Sequence, residues 1–220
     1  MKNYIYTFAF LFLTIGAVAQ TENNKLGITT GFGFQQYNGD LGNGFYSFKT
    51  STYGVTSLNL SYYLSKTFDV GIMGTLGDFG YCQTKEEKLK YVSMEDRCNG
   101  CVARTGKGNL NSRMVSGGIF IKYKLANGNF FREEVKLKPY LYIGTSINHI
   151  TDNMKMNCIN AGNYVSLNAG VGFRYDINER FSLGYNIGFG SFTSDKVDFM
   201  DHGRKDQYLQ NSLFLGVNLF

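Results

Sequence analysis

Two histidines, four cysteines and a scatter of charged side chains are what the 220-residue chain offers for chemistry. His149 precedes Thr151 and Asp152, and Asp201 precedes His202. Either group imitates part of a hydrolase set, in which a nucleophile is activated by a base that a third group orients. No nucleophile elbow, phosphate loop or zinc-protease motif accompanies them. Ser and Asp near a His in polar segments arise readily by chance. The expectation is solvated loop residues, with no catalytic set and no cofactor.

The cysteines are Cys82, Cys98, Cys101 and Cys158. The Cys98–Cys101 spacing suits zinc, but no second CxxC and no His pair lies nearby. An even number in an exported chain favours disulfides instead. Cys98 and Cys101 can close a small ring while Cys82 bridges Cys158, or each can reach one of the other two. All three pairings stay open, and no metal is expected.

Export is read from the N-terminus. Met1-Lys2-Asn3 is a short basic region, an apolar run follows from Tyr4 to Ile15, and Ala17-Val18-Ala19 precedes Gln20. This is the pattern of a secretory signal peptide over residues 1–19, cleaved at a small-x-small site. The apolar run is shorter than the roughly 20 residues of a spanning helix.

The rest of the chain must position any chemistry with strands. Aromatic residues make up 16% of it, with 27 Gly and one Pro. Hydrophobic residues are 43% of the chain, yet the mean hydropathy is only −0.20. Strands that are apolar at every second position give that combination. Eight alternating segments are expected: Leu26–Gln36, Gly54–Leu64, Phe68–Asp78, Arg113–Leu125, Leu137–Ile150, Tyr164–Ile177, Phe181–Thr193 and Gln207–Phe220. Each sets aliphatic and aromatic residues on one face against Gly, Ser and Asn on the other. They exceed the about 5–6 residues usual for soluble strands and suit tilted membrane crossings. A soluble sandwich would turn the Gly-rich faces to water, where they form poor strands.

Short connections (Ser65–Thr67, Ala126–Lys136, Asn178–Arg180) alternate with long ones (Tyr37–Tyr53, Phe79–Ser112, Thr151–Asn163, Ser194–Asp206). This is the alternation of outer-membrane barrels, with an even strand count leaving both termini in the periplasm. The expectation is an all-β, eight-stranded antiparallel up-and-down transmembrane barrel over residues 20–220. Asp69, Lys122, Lys124 and Arg174 fall on the polar faces. Buried charge must be paired, so they are read as a plug, the alternative being a narrow ion path. The longest loop mixes Lys85, Lys88, Lys90, Arg97, Arg104 and Lys107 with Glu86, Glu87, Glu95 and Asp96, as a surface for lipopolysaccharide phosphates, a partner protein or a host surface, the alternative being a solvated loop with no specific ligand. The net charge of +5 is scattered among acids, so nothing points to nucleic acid.

The strand pattern, the loop alternation and a terminal Phe220 resemble the OmpA/OmpX-type eight-stranded outer-membrane barrels across the mature chain. The resemblance implies that Phe220 is the aromatic read by the barrel-assembly machinery. Phe220 departs from the usual pattern, falling in register with Asn218 and Gly216. Tyr37-Asn38-Gly39-Asp40-Leu41 is similar to a Tyr-x-Gly-Asp-Leu motif of Bacteroidota-type barrels, read here as a turn. The function expected is non-enzymatic: a structural or binding barrel, or a subunit of an envelope or secretion assembly. The alternatives are a small diffusion pore and a lipid-modifying enzyme using His149 or His202. Expected partners are outer-membrane lipid, the assembly machinery and another envelope protein.

Overall fold

Period-two alternation leaves every strand with two unlike faces, and closure is the arrangement that satisfies both. In the computed structural model, which describes residues 25–39, 45–46, 53–82, 109–151, 162–194, 197 and 205–219, the chain forms eight strands. They are β1 (Leu26–Asn38), β2 (Tyr53–Tyr63), β3 (Phe68–Cys82), β4 (Asn109–Lys124), β5 (Leu137–Thr151), β6 (Gly162–Asp176), β7 (Phe181–Phe192) and β8 (Gln207–Leu219). Each pairs antiparallel with the next, and β1 pairs with β8 from Leu26↔Leu219 to Asn38↔Gln207. Closure through this pairing removes the free edges of the sheet over the band where all eight strands overlap.

Register decides which face looks where. Leu58, Ile72, Ile119, Ile143, Leu167 and Leu215 are more than half exposed on the outer wall. At the short-turn end the outer wall carries Tyr62, Phe68, Tyr175 and Phe181, each 37–45% exposed. Phe68 packs edge-on against Tyr123 with ring centroids 5.4 Å apart. An aliphatic band rimmed by aromatics is the profile of a wall that meets lipid tails and headgroups.

The short turns are held by side chains. Ser65 Oγ accepts from the Thr67 and Phe68 amides at 3.2 and 3.0 Å. Asn178 Oδ1 accepts from the Arg180 and Phe181 amides at 2.8 and 2.7 Å. These are local caps that pre-form the reversal. The longer Ala126–Lys136 connection is folded too: Asn127 Oδ1 accepts from the Asn129 amide, and the Gly128 amide donates to the Phe131 carbonyl at 2.9 Å. Gly128 has φ +88°, a left-handed conformation that costs a residue with a Cβ about 1 kcal/mol. Gly128→Ala should therefore lower stability by about that much, read as a small drop in the urea midpoint with an unchanged slope.

The strand expectations hold with shifted ends. Phe79–Cys82 and Asn109–Ser112 extend the β3–β4 hairpin, with Cys82 opposite Asn109, where a loop was expected. Residues paired on both strands cannot be told from loop by hydropathy once they leave the apolar band. Tyr37 and Asn38 belong to β1, opposite Tyr208 and Gln207, so the expected turn begins only after them. The signal peptide, Asp40, Leu41, Cys98, Cys101, Cys158, Asp152, Asp201, His202 and Phe220 lie outside the described residues, as does the charged part of the longest loop.

Candidate functional site

The lumen is a site built by all eight strands, and its residues sort into three levels. At mid-height it is filled by rings. Phe120, Tyr140, Tyr142, Tyr208 and Phe214 alternate with the outward aliphatics of β4, β5 and β8, and so point inward. Each lies over a glycine that is its direct cross-strand partner: Phe120 over Gly71, Tyr140 over Gly172, Tyr142 over Gly170, Tyr208 over Gly190 and Phe214 over Gly184. A Cβ on any of these glycines would overlap the ring. The small residues of the polar face are the sockets of neighbouring rings.

Towards the long-loop end the rings give way to a hydrogen-bond network. Ser116 Oγ donates to Asn148 Oδ1 at 2.5 Å, and Asn148 Nδ2 donates to Ser166 Oγ at 2.8 Å. Asn168 Nδ2 donates to Ser146 Oγ at 3.0 Å, and Tyr208 OH donates to Asn168 Oδ1 at 2.6 Å. Asn148 and Ser166 are fully buried. A buried network of this kind stiffens the wall only because its members satisfy one another. Above it, Tyr37 OH donates to Asp206 Oδ1, while Asp206 Oδ2 accepts from the Val197 amide at 3.0 Å. The motif tyrosine thus closes the top of β1 onto the β7–β8 connection. Gly39 sits where a Cβ would overlap both the Tyr37 and Asp206 side chains. That gives two residues of the Tyr37–Leu41 motif a packing role.

At the short-turn end lie the charges. Asp69, 1% exposed, is the register partner of Lys122 but takes Lys124 Nζ at 2.6 Å. Asp176 is shared by Lys138 at 2.7 Å and Arg174 at 2.9 Å. Lys124 also sits 4.0 Å from the Tyr63 ring centroid, and Lys122 sits 4.9 Å from that of Tyr140. All four charged residues read from the sequence converge here. Lys138 and Asp176 join them, at positions where β5 and β6 run into a turn.

The first long connection leaves a mark on the outer wall. Asn211 shares the outward face of β8 with Leu213 yet is only 1% exposed. Its Oδ1 accepts from Tyr46 OH at 3.0 Å and from Tyr185 OH at 2.8 Å. The Tyr46 amide donates to Gln36 Oε1 at 3.1 Å, and Phe45 meets Phe189 edge-on at 6.1 Å. Phe45 and Tyr46 thereby lie back over β1, β7 and β8, covering two outward polar side chains.

The hydrolase candidates do not assemble among the described residues. His149 is exposed and its Nδ1 lies 2.9 Å from Asn163 Oδ1, an amide that cannot stabilise an imidazolium as a carboxylate does. Thr151 Oγ1 donates to the Arg113 carbonyl at 3.2 Å. No group of three or more His, Cys, Asp or Glu that could hold a metal occurs among the described residues.

No protein-family model and no curated protein matches the chain. Solved structures do. Neisserial surface protein A is 11% identical, with a TM-score of 0.57 over 88% of this chain and 97% of that one. The outer membrane protein OprG from Pseudomonas aeruginosa is 13% identical, with a TM-score of 0.51 over 93% and 98%. The outer membrane enzyme PagL is 10% identical, with a TM-score of 0.42 over 87% and 98%. At these identities the likeness is one of fold. The architecture is that of the eight-stranded outer-membrane barrels, and the OmpA/OmpX-type layout fits it.

Proposed function

We propose that the protein is a non-enzymatic, plugged barrel of a Gram-negative outer membrane, with both termini in the periplasm and its long connections presented outward as a binding surface. Lipopolysaccharide or another envelope protein is the occupant this surface fits, and the barrel-assembly machinery is the route of insertion. The aliphatic band with its aromatic rim supports the membrane setting. The kinship of the Tyr37–Leu41 motif with Bacteroidota-type barrels belongs to the same proposal and rests on that motif alone.

The observation that carries the reading is the ring-on-glycine filling of the mid-lumen. Phe120, Tyr142 and Phe214 come from three different strands and occupy the space a pore would need. Interiors of eight-stranded barrels are just wide enough for side chains to fill. The pure protein in a planar bilayer should therefore give a flat trace. The triple variant Phe120→Ala, Tyr142→Ala, Phe214→Ala should give discrete current steps and so show that insertion is not at fault. Steady wild-type steps would overturn the plugged reading in favour of a small diffusion pore.

A further inference from the structure

The charges at the short-turn end do not balance. Lys122, Lys124, Lys138 and Arg174 face Asp69 and Asp176 there, and each carboxylate is already engaged. Lys122 has no carboxylate within 4.0 Å among the described residues: it faces the Phe120 and Tyr140 rings, and Asp69, its register partner, is taken by Lys124. A ring face offsets only part of what an ammonium loses on leaving water. The same wall holds a cavity of about 100 Å³, lined by Lys122, Lys124, Arg174, Ser182, Asn186 and the Asp69 carboxylate that Lys124 engages. One water needs roughly 10–15 Å³ of such space, so the cavity has room for a polyatomic guest. Ser182, 1% exposed, lines it with a hydroxyl that has no hydrogen-bond partner.

We propose that this cavity is an anion site that takes a free phosphate-sized oxyanion. Lys122 supplies the uncompensated charge, Arg174 a planar fork of donors, and Ser182 a neutral hydroxyl donor. Several donors of different geometry suit the several acceptor oxygens of a tetrahedral oxyanion. A lipid headgroup would carry the same chemistry, but the cavity lies inside a wall closed through β1–β8, and acyl chains stay outside it. The site is independent of what the outward loops bind.

The test uses the mature chain folded in maltoside micelles and titrated calorimetrically with inorganic phosphate at low ionic strength. The expected result is saturable binding of one phosphate per barrel. Lys122→Met should weaken it at least tenfold, whereas Lys66→Met, on an exposed turn, should leave it unchanged. Ser182→Ala, expected to weaken binding several-fold, serves if Lys122→Met loses the folded mobility on unheated gels. No saturable heat with the wild type, or equal binding by Lys122→Met and Ser182→Ala, would overturn the site. A second titration in nanodiscs containing phosphatidic acid should give the same affinity; competition by that lipid would overturn the free-anion assignment.

Discussion

Asp69→Asn should lower the unfolding free energy by about 3 kcal/mol, seen as a shifted urea midpoint with an unchanged slope. Asp69 is 1% exposed and its carboxylate holds Lys124 at 2.6 Å. Removing one member of a buried pair leaves the other charged and desolvated, which is the costly half of the change. The lower end of the usual range applies, because Lys124 keeps 19% of its side chain in contact with solvent. The Asn side chain retains shape and hydrogen-bonding capacity, so the loss reports charge. It also removes the carboxylate nearest in register to Lys122, raising the excess of cations in the cluster. The double variant Asp69→Asn, Lys124→Met should recover more than half of the loss, since no orphaned charge remains and the methionine packs against Tyr63. A single-variant loss below about 0.5 kcal/mol, the range of an ordinary surface change, would mean that water screens the cluster and that the charges are not a plug.

How legible this was in the sequence depends on whether a feature needs one strand or two. Outward aliphatics such as Ile119, Ile121 and Ile143 announce their strands alone, because period two is a property of a single segment. The eight strands and their order follow from that, and Asp69, Lys122, Lys124 and Arg174 can be assigned to the inner face by parity. Parity does not say that Phe214 rests on Gly184, or Tyr142 on Gly170. Those pairs exist only once the register of neighbouring strands is known. The missed signal was present: inward aromatics at Phe120, Tyr140, Tyr142, Tyr208 and Phe214 interrupt faces that are otherwise polar and rich in Gly, Ser and Asn. Asn211 is illegible for a different reason. It breaks the apolar face of β8, and the outward amide is met there by two hydroxyls, that of Tyr185 on β7 and that of Tyr46, which folds back from the first long connection. The His149 grouping misleads in the opposite direction: His149 and Thr151 share a face of β5, but one meets the Asn163 amide and the other the Arg113 carbonyl, pairings that only the register reveals.

Gly33→Val should abolish the folded barrel, leaving a single unfolded band on unheated gels and no protected fragment under protease. Gly33 stands on β1 opposite Ser212 of β8 and Val55 of β2. A Cβ there would overlap the Asn211 carbonyl oxygen and crowd the Ser212 Cα. Both are backbone atoms, which cannot rotate away as a side chain would, so β1 and β8 would have to separate locally. That seam joins the first strand to the last and is what removes the sheet's edges. In lipid, each backbone group it leaves unpaired costs several kcal/mol, more than the whole margin of a typical domain once a few are exposed. Gly54→Val is the matched control. Gly54 lies on β2 opposite Phe34, where an added Cβ meets nothing within 4 Å. It should fold with wild-type mobility, because there the side chain only adds to the outer wall. Folding of Gly33→Val with wild-type mobility and stability would show that the seam tolerates separation, and closure through β1 and β8 would then not be what sets the stability of this barrel.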